Sequence, residues 1–211
     1  MTTTPDELAA VAAAQQQPSR IYSFDEYLAW AGEHQFVEWV DGEVVAMSPT
    51  SLAHQELVGF LFFVLKAYVE QRNLGRVLTA PFAMKLTAAR RGREPDILFV
   101  ARAREHLLKP THLDGPADVI VEIVSPESTG RDRGEKFVEY EAAGVQEYWL
   151  IDPERQQAEF YQLGTDGHYR LAALTADGRF VSPIINGFWL RVEWLWQLPD
   201  VLGVLHELSI I

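Results

Sequence analysis

The spacing of apolar residues along the chain predicts a mixed α/β protein. From Ser51 onward Leu57, Phe60, Leu61, Val64, Leu65 and Tyr68 recur at three- and four-residue steps, one face of a long helix that ends near Gln71. Ser23 with Glu26 three residues later forms a capping box ahead of a second helical face, Phe24, Tyr27 and Leu28. FVEWVDGEVVAMSP reads as a hairpin that turns at Asp41-Gly42. Strands are predicted near Arg76–Leu78, Phe82–Leu86 and Asp96–Val100, with ARRGRE (Ala89–Glu94) as a loop and 101–117 as a connection holding at most a short helical turn.

The run DVIVEIVS reads as an interior strand. A Gly/Asp/Arg loop, a helix over about 131–143 and a second strand, EYWLID, follow it. Strand, helix and strand form a βαβ unit, so the two strands should be parallel. Gly144 suits the C-terminal stop of that helix. Beyond Pro153 the pattern shifts to short β segments and an aromatic tail with Phe188, Trp189, Trp194 and Trp196. At the other end, Thr4–Gln17 reads as a short helix capped by Thr4 and closed by Pro18. The expected organisation is an N-terminal arm over 1–20, one α/β domain over 21–198 and a tail over 199–211.

Composition narrows the function. The chain of 211 residues is 48% hydrophobic, enough for a real core. Having no cysteine, it has no disulfide framework, zinc-thiolate site or cysteine nucleophile. No run of roughly 18 uncharged apolar residues predicts a membrane span, and the N-terminus lacks a basic signal region, so a cytoplasmic protein is expected. A net charge of -12 opposes a broad electrostatic grip on nucleic acid. Such a partner needs a local basic patch or divalent cations.

Glu122 is the anomaly in this pattern, an acid amid Val119, Ile120, Val121, Ile123 and Val124. Asp96 opens a neighbouring strand, so antiparallel pairing would bring both acids to one end of the sheet. Close carboxylates repel unless one is protonated or a cation bridges them, and a hard divalent ion is the natural bridge. Lys136 lies about 7 Å into the following helix and can lie level with Glu122. Asp132, Lys136 and Tyr140 share one helical face. Glu38 is a further acid among apolar strand neighbours, and His54 lies near the start of the long helix. Two carboxylates, a cation and a lysine suit phosphodiester hydrolysis. Each residue also has a plainer reading. Glu122 could sit in a buried ion pair, Asp96 in a turn, and Lys136 on an exposed face beside Asp132. Glu38 could pair across its hairpin, His54 could be simply packed, and Tyr140 could be core. Arg90, Arg91 and Arg93 could reach phosphate or form a solvated loop.

Pro95-Asp96, VEIVSPES, the spaced Asp132, Lys136 and Tyr140, GVQEYWLIDP, VEWVDGEVVAMSP and His54 together resemble the Uma-two family of restriction-endonuclease-like proteins, in the PD-(D/E)XK nuclease superfamily. The resemblance runs from about Tyr22 to Trp196. It implies a central mixed β-sheet flanked by helices, preceded by a helical and hairpin extension. Asp96 and Glu122 would be metal ligands, with Glu38 an additional acid. In the simplest superfamily pattern the lysine stands two residues after the second acid, where this chain has Val124. A lysine that has migrated to the next helix nominates Lys136. Mg²⁺ or Mn²⁺ as cofactor, DNA as substrate and a homodimer are the implied partners. A non-catalytic nucleic-acid- or protein-binding module, or a hydrolase of small phosphate esters, are the alternatives.

Overall fold

The computed structural model describes residues 22–31, 37–47, 50–125 and 128–211. The predicted helix over Thr4–Gln17 lies outside the described residues, as do Phe36, Ser48 and Pro49 of the hairpin motif and Pro126 and Glu127 of VEIVSPES.

Five elements lead into the core sheet. They are α1 (Phe24–Ala31), the hairpin β1 (Val37–Val40) and β2 (Glu43–Ala46), α2 (Leu52–Gln71) and β3 (Gly75–Thr79). Ser23 and Glu26 form the predicted capping box at α1, and the Ser51 hydroxyl accepts from the His54 N–H at the start of α2. Asp41 and Gly42 both take positive φ, 51° and 96°, as a two-residue hairpin turn requires. Next come β4 (Ala83–Leu86), β5 (Arg91–Arg93), β6 (Ile97–Ala101), a 3₁₀ turn at Arg102–Leu107 and β7 (His112–Leu113). The predicted loop over 89–94 is therefore half strand. Arg91 and Arg93 continue a ladder with β1 and β4.

The βαβ unit follows as β8 (Val119–Ile123), a π turn (Arg131–Glu135) running into α3 (Lys136–Ala143), and β9 (Glu147–Asp152). Gly144 ends α3 in the left-handed region, as its position predicts. The rest is β10 (Gln157–Leu163), β11 (Tyr169–Leu171), the ribbon β12 (Arg179–Val181) and β13 (Trp189–Arg191), α4 (Trp194–Gln197) and α5 (Val201–Glu207).

The central sheet is mixed and six-stranded, in the order β11-β10-β9-β8-β6-β3. β8 and β9 are parallel, as a helical crossover demands, and both are buried throughout. A second sheet, β2-β1-β5-β4-β7, packs beside it. On one face of the central sheet Val119, Val121 and Ile123 meet Leu57, Leu61 and Leu65 of α2, together with Phe180, Phe188 and Trp194. Fully burying each such leucine contributes about 1.5–3 kcal/mol. On the other face Ile120, Val124, Tyr148 and Leu150 meet Tyr140 of α3 and Met84 and Leu86 of the second sheet. Period-two alternation thus turns Glu122 toward α3. Phe188 and Trp194 of the aromatic tail are core residues, and Trp189 and Trp196 are half-buried. α2 is long and apolar enough to cross a membrane by length and composition, but one of its faces packs into this core.

Candidate active site

Antiparallel pairing of β6 with β8 sets Ile97 against Val121, so Asp96 comes opposite Glu122 one step further on. The two acids meet at one end of the sheet, as expected if their strands pair antiparallel. Asp96 is held on two sides. Its Oδ2 accepts from the Ile123 N–H at 2.7 Å, and its Oδ1 lies 3.1 Å from His54 Nε2. His54 is buried by the first turn of α2, and its Nδ1 has no hydrogen-bond partner. Asp96 keeps part of its carboxylate open to solvent, at 17% of the side chain.

Glu122 is enclosed. The Tyr140 hydroxyl donates to its Oε1 at 2.8 Å, and the Lys136 ammonium lies 3.0 Å from the same atom. Lys136 also reaches Asp132 Oδ1 at 3.2 Å and Glu38 Oε1 at 3.6 Å. The exposed-lysine alternative is thereby removed, since Lys136 is 2% exposed. The helix enters through its π turn, where the Lys136 N–H bonds back to the Arg131 carbonyl and the Tyr148 hydroxyl donates to the Asp132 carbonyl at 3.0 Å. Such turns often accompany functional sites.

The charge balance explains the proton affinities. Burial raises Glu122 most. Lys136 opposes the rise, Asp132, Asp96 and Glu38 add to it, and the carboxyl is pushed up to about 8. Burial opposes the charge on Lys136, but Glu122, Glu38 and Asp132 outweigh it and keep the amine protonated. Burial would also raise Glu38, yet Lys136 and Arg93 more than offset it and hold this acid below the usual carboxylate range. Glu38 is 0% exposed, and Arg93 Nη1 donates to its Oε2 at 2.7 Å.

Arg93 is the residue whose place the sequence least announced. Its fork spans Glu38 and both oxygens of Glu139, joining β1, β5 and α3. Arg91 is paired with Glu139 and Asp41. Neither is a free phosphate contact. The available signal was the Arg91-Gly92-Arg93 alternation, which sends both arginines to one strand face. A buried Glu38 needs such a cation.

Among the described residues no three His, Asp or Glu side chains converge closely enough to cage a metal. Mg²⁺ is held through one or two carboxylates, waters and substrate phosphates rather than by a full protein cage, and two facing carboxylates suit it. A crevice of about 270 Å³ opens beyond the ends of β8 and β9, lined by Val124, Ser125, Thr129, Asp152, Glu154 and Arg155.

A family model, Uma2, described as "Putative restriction endonuclease", matches residues 24–193. The chain belongs to the Uma2 family. The matched span begins with α1 and takes in Glu38, His54, Asp96, Glu122, Lys136 and Tyr140. Among solved structures the chain is similar to one described as "a putative nuclease belonging to DUF820" from Anabaena variabilis ATCC 29413. Identity is 17%, the match covers 85% of this chain and 98% of that one, and the TM-score is 0.68. At that identity the likeness is one of fold, a mixed sheet flanked by helices. No protein of curated function matches the chain. Family and fold together are nuclease-like.

Proposed function

We propose that this Uma2 protein is a metal-dependent endonuclease that hydrolyses DNA phosphodiester bonds. One observation carries the reading. Lys136, from the helix after β8, comes within 3.0 Å of Glu122 at the sheet end where Asp96 faces it. Val124 fills the position a lysine takes in the simplest pattern, and α3 supplies the missing cation. The word nuclease in the description of the Anabaena variabilis structure supports the same chemistry.

Asp96 and Glu122 would hold Mg²⁺ or Mn²⁺, which when bound polarises a phosphoryl oxygen and acidifies a water. The protein's own part is orientation and charge. The Ile123 N–H and His54 fix Asp96, and the Tyr140 hydroxyl fixes Glu122. Lys136 stays cationic beside Glu122, where it favours negative charge developing on phosphate. Glu38, held by Arg93, steadies that ammonium from the far side. His54 and Tyr140 act as positioning residues.

The enclosure of Lys136 by three acids favours a second reading, a binding module on the same fold without turnover. A nuclease assay with Mg²⁺ or Mn²⁺ on duplex and single-stranded DNA, run beside Asp96→Ala and Glu122→Ala, separates the two. Metal-dependent cleavage lost in both variants is expected. Cleavage that persists in both refutes the site, and DNA binding with no cleavage by the wild type selects the module.

A further inference from the structure

We infer that Arg131 is the residue that grips the substrate's phosphodiester backbone at the rim of this site. The inference rests on reading the site as a nuclease centre.

The centre is rich in acid. Glu122, Glu38 and Asp132 surround one lysine, and Asp96 stands opposite Glu122. A polyanion approaching it needs a cation that the protein has not already spent. Most nearby cations are spent. Arg93 is 1% exposed and bound to Glu38 and Glu139, and Arg91 is bound to Asp41 and Glu139. Lys136 is enclosed, Arg133 is paired with Glu159, and Arg155 with Asp152. Arg90 has no carboxylate partner among the described residues, but it lies on the wrong side. Glu38 falls opposite Arg93 in the β1–β5 ladder, and Arg90 is three residues, roughly 10 Å, further toward the hairpin turn.

Arg131 differs from all of these. It is half-buried, and its Nη1 lies 3.2 Å from the sulfur of Met47. A thioether is a weak acceptor for a group with five N–H donors. No carboxylate lies within ion-pair distance of it among the described residues, in a chain whose acids outnumber its cations 30 to 18. Its position is relevant. Met47 follows β2 directly, at the end of the hairpin where Val37 and Glu38 lie, and the charge on Arg131 is felt at Glu38. Local stability does not select it either, because a cation in the first turn of a helix opposes the helix dipole. The planar guanidinium suits bidentate phosphate binding. Parked on Met47, it can swing to a phosphate without breaking an ion pair.

The test is DNA binding by the full chain. A short fluorescein-labelled duplex is titrated in Ca²⁺ by anisotropy across a salt series, with cleavage in Mg²⁺ measured in parallel. Arg131→Gln should weaken binding about tenfold at low salt, the loss of one charge-assisted contact. It should also flatten the plot of log K against log salt by about 0.9, one duplex phosphate. A merely structural residue would leave that slope alone. Arg131→Lys keeps the charge and loses the fork, so its slope should stay while affinity falls. Arg102→Gln, at the opposite end of β6 from Asp96, should change neither. If Arg131→Gln proves unstable, Arg131→Lys decides the matter, and unchanged affinity there overturns the inference. With wild-type binding and cleavage intact, an unaltered slope in Arg131→Gln overturns the inference alone. A wild type that neither binds nor cuts DNA overturns the nuclease reading with it.

Discussion

Replacing Arg93 by methionine should be among the most damaging single changes to this fold. The side chain is 1% exposed and makes three charge-assisted bonds, to Glu38 Oε2 at 2.7 Å, Glu139 Oε2 at 2.8 Å and Glu139 Oε1 at 2.9 Å. Methionine roughly fills the space and removes every donor. Glu139 can still turn to Arg91, 2.7 Å away. Glu38 cannot escape, because it is 0% exposed and its remaining ion-pair partner, Lys136, is 3.6 Å off and shared with two other acids. Removing one partner of a buried pair costs about 3–5 kcal/mol, far more than the pair itself contributes. For a chain of this size that is a fall of about 6–20 °C in Tm. The loss should be larger at pH 8 than at pH 5, since a Glu38 freed from Arg93 can relieve its charge by taking a proton. Adding Glu38→Gln should recover part of the loss, because the stranded charge is then gone. Urea and thermal unfolding of the two single variants and the double variant measure all of this. An Arg93→Met protein within about 1 kcal/mol of wild type, or a double variant no more stable than Arg93→Met, would refute the reasoning.

Gly92→Ala should cost about 1–3 kcal/mol by overpacking, because a Cβ there would sit 2.7 Å from Phe24 Cε2 and 3.2 Å from Trp39 Cβ. The check is a lower unfolding midpoint, and near-neutrality would mean α1 is not clamped to β5. Glu122→Gln should change the pH dependence of stability. The native protein holds the Glu122 proton up to about pH 8, whereas the unfolded chain releases it near the ordinary 4.5. The folded state therefore binds more protons across that window, and wild-type stability declines as pH rises through it. Glu122→Gln should lack that part of the decline and gain on wild type at pH 8 relative to pH 5. Parallel urea curves across pH 4.5–8 for the two proteins would contradict this.

Much of the fold was legible because its determinants are local. The α2 stripe, the Asp41-Gly42 turn, the Ser23–Glu26 box and the Gly144 stop each need only neighbours in sequence, and the structure carries them all. The juxtaposition of Asp96 with Glu122 was also legible, since an acid at the start of one strand and near the end of its antiparallel neighbour must meet. Lys136 followed from adding a helical rise to a strand rise. What stayed hidden depends on contacts between sheets. ARRGRE has the polarity and glycine of a loop, and only the meeting of β1, β5 and α3 around a buried Glu38 makes Arg93 an interior residue. Asp132 shares a helical face with Lys136 in the sequence, but its burial as a third acid beside that lysine leaves no mark in the apolar pattern.

The central claim is that Asp96 and Glu122 share a divalent cation, and Mn²⁺ titration followed by electron paramagnetic resonance tests it most directly. The account predicts binding by the wild-type protein that is abolished or greatly weakened in both Asp96→Ala and Glu122→Ala while each variant stays folded. Wild-type Mn²⁺ affinity retained in either folded variant would contradict it.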